Sequence, residues 1–237
     1  MKKIVFTFLI SLQAFAQNLD VTQVKYKFIP ATQDKPLTKS QERCNEILKK
    51  EYTLFSFNKH KAKYENLGDI RLFDDIDYLL AQIYLGQTLI FDLENNNTYS
   101  FLLNSNPEFY FKFKTKMHNW VLTNESKIIN GLTCYKATLR IVTYNTIRDG
   151  SKKELIFDYN AWYAPSIPIN VFFNEINGLP GLILELVSKD VGSLVAESIK
   201  YGVSVNKEYF TPDKNLYERT DYEEYISNSI KLMNSVK

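Results

Sequence analysis

Gly178-Leu179-Pro180-Gly181-Leu182-Ile183-Leu184-Glu185-Leu186 is the stretch whose reading sets the fold class. Pro180 fixes its own φ and has no backbone N–H to donate. Gly178 and Gly181 either take φ > 0 or let a second backbone come close. Leu182 to Leu186 is a short apolar run bounded by turn residues, which reads as a buried strand.

The same pattern extends on both sides. Downstream, a turn at Lys189 to Gly192 leads into a strand over Leu194 to Val205. Upstream, Trp120 to Ile129 and Leu132 to Tyr144 flank Asn130-Gly131, a dipeptide suited to the type I′ hairpin turn. Asp149-Gly150 marks a turn before a strand over Glu154 to Tyr163. Glu108 to Lys116 alternates, with Phe109, Phe111 and Phe113 on one face and Tyr110, Lys112 and Lys114 on the other. Thr88 to Leu93 and Thr98 to Leu103 make a hairpin across Glu94 to Asn97. Val21 to Ile29 is a first strand, setting Val24, Tyr26 and Phe28 against Gln23, Lys25 and Lys27. Pro30 to Thr38 reads as loop, and Tyr52 to Phe57 as extended.

Helical spacing occurs in three places. Ser40 to Lys50 carries Cys44, Ile47 and Leu48 at i, i+3 and i+4. Asp74 to Leu85 aligns Ile76, Leu79, Leu80 and Ile83, with Asp74, Asp75 and Asp77 where the helix dipole favours negative charge. Gly86 would end that helix, and a strand over Tyr78 to Leu85 is the competing reading. Thr220-Asp221-Tyr222-Glu223 has the form of a capping box, followed by Ile226, Ile230 and Met233. The expected fold is therefore mainly β: a strongly curved antiparallel sheet or half-open barrel. A C-terminal helix would pack on it, with one or two short helices in the N-terminal half.

Lys2 and Lys3, the apolar run Ile4 to Leu12 and Ala14-Phe15-Ala16 predict a secretory signal over residues 1–16. Residues 17–237 then form one domain, exported to the periplasm or the periplasmic face of the outer membrane. No later stretch is apolar enough to predict a transmembrane helix. The chain has 29 Lys+Arg against 27 Asp+Glu, and Lys2 and Lys3 account for the surplus. A neutral remainder argues against nucleic acid as a partner, which needs a basic patch. Export would let Cys44 and Cys134 form a disulfide closing a loop of about 90 residues, worth ~4 kcal/mol in the chain-entropy view. Two separate buried thiols are the equal alternative.

Little in the sequence points to catalysis. His60 and His118 sit in unrelated segments, without the spacing of a metal site. A His118–Cys134 nucleophile pair can be drawn across the Asn130-Gly131 hairpin, but each residue has an ordinary reading as a sheet side chain. No serine elbow or phosphate loop is present. The expectation is no catalytic residue, no metal and no cofactor. The candidate binding residues are aromatic and proline positions: Trp162, Tyr163, Pro165, Pro168, Phe172 and Phe173. Trp and Tyr supply large contact area at low entropic cost, although Trp162 and Trp120 also suit a core.

Taken together, these residues resemble the GLPGLI family of exported proteins, known mainly from Bacteroidetes. The likeness rests on Gly178, Leu179, Pro180, Gly181, Leu182 and Ile183. Trp120, the run Ile128-Ile129-Asn130-Gly131-Leu132-Thr133-Cys134-Tyr135-Lys136-Ala137, then Ala161-Trp162-Tyr163 and Ile167-Pro168 support it. Members commonly have Gly-Pro where this chain has Phe172-Phe173. The resemblance implies a β-rich exported protein whose genes often lie near outer-membrane TonB-dependent receptors, and transfers no catalytic residue. Three functions are carried forward. One is a non-enzymatic binding or accessory protein for an outer-membrane receptor or transporter. The second is a carrier of lipid or another apolar ligand on the concave face of the sheet. The third is a hydrolase with a carboxylate or cysteine centre.

Overall fold

The computed structural model describes residues 18–31, 36–66, 85, 88–101, 109–146, 151–173, 176–188, 191–212 and 217–220. The expected signal at 1–16, the helix expected over Asp74 to Leu85 apart from Leu85 itself, its stop at Gly86, the Asp149-Gly150 turn and the helix after Thr220 lie outside the described residues.

Among the described residues twelve strands form one sheet: β1 (Asn18–Pro30), β2 (Tyr52–Phe57), β3 (Lys61–Asn66), β4 (Thr88–Asp92), β5 (Asn97–Phe101), β6 (Phe109–Lys114), β7 (Val121–Ile129), β8 (Leu132–Thr146), β9 (Lys152–Ala164), β10 (Leu182–Ser188), β11 (Gly192–Asn206) and β12 (Tyr217–Arg219). Their order is β12-β6-β5-β4-β3-β2-β1-β11-β10-β9-β8-β7. Eleven strands pair antiparallel, and β12 joins β6 in parallel. The sheet is open, with β12 and β7 at its edges. The protein is mainly β, as the turn and alternation pattern predicts.

The N-terminal strand is central. β1 pairs with β11 from Asn18↔Asn206 to Pro30↔Gly192, and with β2 on its other side. Val24, Tyr26 and Phe28 are buried, and Lys25 and Lys27 face the other way half-exposed, as their alternation requires. The hydroxyl of Tyr26 donates to the carbonyl of Ile183 at 2.5 Å. A side chain on β1 thus reaches the backbone of β10 past the intervening β11, which requires the sheet to curve.

α1 (Lys39–Lys50) packs on β1 through Cys44 and Leu48. Thr38 caps it, accepting from the Gln41 N–H while the Gln41 side chain accepts from the Thr38 N–H. That capping box is visible in the sequence as Thr-x-x-Gln and extends the expected helix by one residue. At the Asn130-Gly131 turn, φ is 50° and 77°, the conformation a type I′ turn demands. A 3₁₀ turn (Lys207–Phe210) buries Phe210 against Val21 and Ile90 on the outer face of the sheet.

The inner face is filled. Residues 165–181, between β9 and β10, lay Ile169, Val171, Phe172, Ile176 and Leu179 against the sheet. The Phe172 ring meets Tyr26 edge-on at 5.2 Å and Phe55 at 5.7 Å. Cys134 and Cys44 are buried thiols on β8 and α1 rather than halves of a disulfide.

Candidate functional site

The glycine-proline turn is a latch for the segment that fills the inner face. Asn177, buried, is its hub. Its Oδ1 accepts from the Phe172 N–H at 2.7 Å, and its Nδ2 donates to the Lys116 carbonyl at 3.0 Å. Its own carbonyl accepts from the Trp120 indole Nε1 at 3.0 Å and from the His118 N–H at 3.2 Å. Every polar group of this buried amide side chain is engaged, as burial of an amide requires. The two glycines divide the roles that the sequence left open. Gly178 takes φ +107° and abuts the His118 backbone. Gly181 has no such φ; a Cβ there would stand 2.4 Å from the Ala164 carbonyl oxygen. Gly181 is therefore a close-approach glycine and not a left-handed one. Leu179, Leu182 and Ile183 are buried, and Pro180 is exposed.

The predicted aromatic surface does not hold together as one patch. Phe172, Phe173 and Tyr163 are buried. Phe172 and Phe173, named as candidate binding residues, lie in the interior of the fold. The physical reason is that the loop carrying them turns inward and supplies the core that an open sheet lacks. Pro165 and Pro168 are exposed at the start of that loop.

Trp162 faces the outer side, half-buried. Lys127 Nζ lies 4.3 Å above its ring centroid and 2.5 Å from a Glu185 carboxylate oxygen. Lys136, the cross-strand neighbour of Trp162, pairs with Glu125 at 2.8 Å. Burial, the largest influence on it, pushes the Cys134 thiol up. That is opposite to the thiolate a cysteine nucleophile needs.

The same outer face continues onto a ribbon. β7 reaches β8 only as far as the Val121–Thr138 pair, and β10 leaves β9 at the Ser188–Tyr159 pair. Beyond those points β8 and β9 pair only with each other among the described residues, from Arg140↔Asp158 to Thr146↔Lys152. One face of this two-stranded extension presents Arg140 paired with Asp158 at 2.7 Å, then Val142 beside Ile156, then Tyr144 beside Glu154. Val142 is 46%, Ile156 48% and Tyr144 61% exposed. The edge strand β7 adds the exposed Val121, which pairs with Thr138 on the same face. The strands lie where their sequence pattern predicts, but these residues are not among the candidate binding positions. Their signal was the alternation of Val142 and Tyr144 with partners across the hairpin.

Among the described residues, no group of His, Cys, Asp and Glu could hold a metal ion. No helix among them is long and apolar enough to cross a membrane.

The model of a protein family, described as a protein of unknown function (Porph_ging), matches residues 120–185. The match covers β7, β8, β9, the latch and the start of β10. No curated protein matches the chain. Two solved structures of PNGF-II share the fold. The one in space group C2 superposes with a TM-score of 0.57 at 14% identity, covering 91% of this chain and 33% of that one. The one in space group P21 gives 0.55 at 15% identity, covering 89% and 34%. The chain thus spans about a third of the length of those proteins.

Proposed function

We propose that this is an exported accessory protein of the GLPGLI type. It works without catalysis, by binding an outer-membrane receptor or transporter of the TonB-dependent kind. The observation that carries the reading is the β8–β9 ribbon. A two-stranded hairpin is marginal alone in water, and a clustered exposed apolar patch is the mark of an interaction surface. Val142, Tyr144 and Ile156 make that patch here. It lies within residues 120–185, where the match to the family of unknown function falls.

The carrier reading is less well supported. It needs a vacant apolar concavity, and the inner face is occupied by the chain's own Ile169, Val171, Phe172 and Leu179. The hydrolase reading gains nothing from a buried Cys134 held as a thiol.

The test is photocrosslinking in cells from a probe at Tyr144, with mass spectrometry of the captured protein. The expected result is one outer-membrane receptor or transporter. Its capture should be lost in the Val142→Asp, Ile156→Asp double variant, with thermal stability retained. Capture of no such protein, or capture indifferent to the double variant, overturns the reading.

A further inference from the structure

The centre of the outer face holds a groove of about 260 Å³ across β11, β1 and β2, lined by Gln23, Lys25, Tyr52, Leu54, Ser198 and Lys200. Two register shifts in the β1–β11 pairing bracket it, one between Val21 and Gln23 and one between Lys25 and Tyr26. The extra residues are on β11: Tyr201-Gly202 stand opposite Thr22, and Glu197 has no counterpart on β1. Bulges of this kind bend a strand and re-aim its side chains, and they gather beside functional sites. Between them Gln23 stands beside Lys200, and Lys25 beside Ser198.

The orientation of the Gln23 amide is set from beneath by a one-way relay. Glu65, ion-paired with Lys63 at 2.7 Å, can only accept as a carboxylate. Tyr209 donates to it, and burial, which pushes the Tyr209 phenol well up, keeps that proton in place. Ser56, fully buried, lies 3.0 Å from the Tyr209 oxygen and must therefore donate to it. The Ser56 oxygen is left to accept from Gln23 Nε2, at 3.1 Å. Gln23 Oε1 is thus turned away from Ser56 as a fixed acceptor at the groove.

The charges are equally specific. Lys25 Nζ sits 3.0 Å from Glu197 and 4.4 Å above the Tyr52 ring, so its charge is shared. No ion pair engages Lys200 among the described residues. The groove therefore offers about one uncompensated positive charge, one fixed acceptor, the hydroxyls of Ser198 and Tyr52, and the Leu54 side chain as an apolar floor. We infer that the groove binds a small hydroxylated carboxylate, with Lys200 and Lys25 at the carboxylate and Gln23 Oε1 accepting from a ligand hydroxyl. One net charge matches a monoanion better than a phosphate dianion, and the volume suits a molecule of about monosaccharide size. The site lies on strands other than the β8–β9 ribbon and stands or falls independently of the accessory reading.

The test is calorimetric titration of the full chain with glucuronate, with glucose and propionate as the uncharged and unhydroxylated comparators. Saturable binding of glucuronate, with neither comparator competing, is the expected result. Lys200→Glu should weaken it about tenfold or more, equivalent to ~1.4 kcal/mol. Tyr209→Phe, which removes the relay's donor to Glu65 from a residue outside the groove, should weaken glucuronate several-fold by freeing the Gln23 amide to turn. Circular dichroism would show whether both variants keep the fold; should Tyr209→Phe not, Gln23→Leu serves in its place. No saturable binding, equal binding of glucose or propionate, or a folded Lys200→Glu protein with parental affinity overturns the inference.

Discussion

A β-carbon on Gly178 would stand 2.5 Å from the carbonyl oxygen of His118. With φ at +107°, Gly178 also holds a backbone conformation that other residues rarely adopt. Gly178→Ala should therefore combine strain and overlap and cost about 4 kcal/mol or more. Gly131, at φ +77° with nothing within 4 Å of its missing Cβ, isolates the strain alone. Gly131→Ala should cost only about 1 kcal/mol. Urea midpoints of the two variants check the contrast.

Phe172 and Pro168 separate a core role from a surface role within one loop. Phe172→Ala removes a buried ring that packs on Tyr26, Phe55 and Tyr64, and should cost about 3–5 kcal/mol. Pro168, exposed, should lose no more than about 1 kcal/mol on replacement by Ala. Equal effects in thermal unfolding would contradict the assignment of Phe172 to the interior.

Asn177→Ala leaves the Phe172 N–H and the Lys116 carbonyl without their side-chain partner. The buried Phe172 N–H, once orphaned, costs about 1–3 kcal/mol, and the Lys116 carbonyl, on an exposed residue, costs less. Hydrogen exchange should show the Phe172 amide losing protection ahead of the β1–β11 amides, because the latch opens before the sheet.

Tyr26 and Tyr64 predict an alkaline limit. Burial, the leading cause for both, pushes their phenols well above the usual range. In the unfolded chain a tyrosine loses its proton near pH 10. Above that pH the unfolded state binds fewer protons than the native one, so stability is full below pH 10 and falls as pH rises. Each residue should contribute up to ~1.4 kcal/mol per pH unit to the decline. Absorbance of phenolate against pH should show these two tyrosines titrating only as the protein unfolds.

The thiols give a direct chemical check. Cys44 and Cys134 are both buried and unbridged. Without reductant, Ellman's reagent should find no fast-reacting thiol in the native protein and two after unfolding in guanidinium. Zero thiols after unfolding would mean that the two are joined.

Much of the sheet could be read from local chemistry. Asn130-Gly131 named its own turn, and the alternation of Val24, Tyr26 and Phe28 with Gln23, Lys25 and Lys27 named the buried face of β1. β3 escaped because Lys61-Ala-Lys-Tyr-Glu-Asn carries only Ala62 and Tyr64 on its buried side, too little apolar pattern to stand out. The inward turn of Phe172 and Phe173 could not be seen, since aromatics after prolines look the same whether they face water or a core. Neither could the groove, whose lining comes from β1, β2 and β11, far apart in the chain. The roles of Gly178 and Gly181 depended on which backbone each would meet, His118 or Ala164.

The placement of β1 between β2 and β11 also imposes an order in time. Its partner over thirteen residues is separated from it by nearly the whole chain, from Asn18↔Asn206 to Pro30↔Gly192. Loop closure on that scale must precede any reward from the pairing, so the final assembly belongs with slow, milliseconds-to-seconds β folding. As the chain is made from its N-terminus, β1 keeps one unpaired edge until β11 arrives, and the Tyr26 ring waits for Phe172. A nascent chain cut short of β11 therefore carries an exposed strand edge and an uncovered aromatic face, both hazards for aggregation.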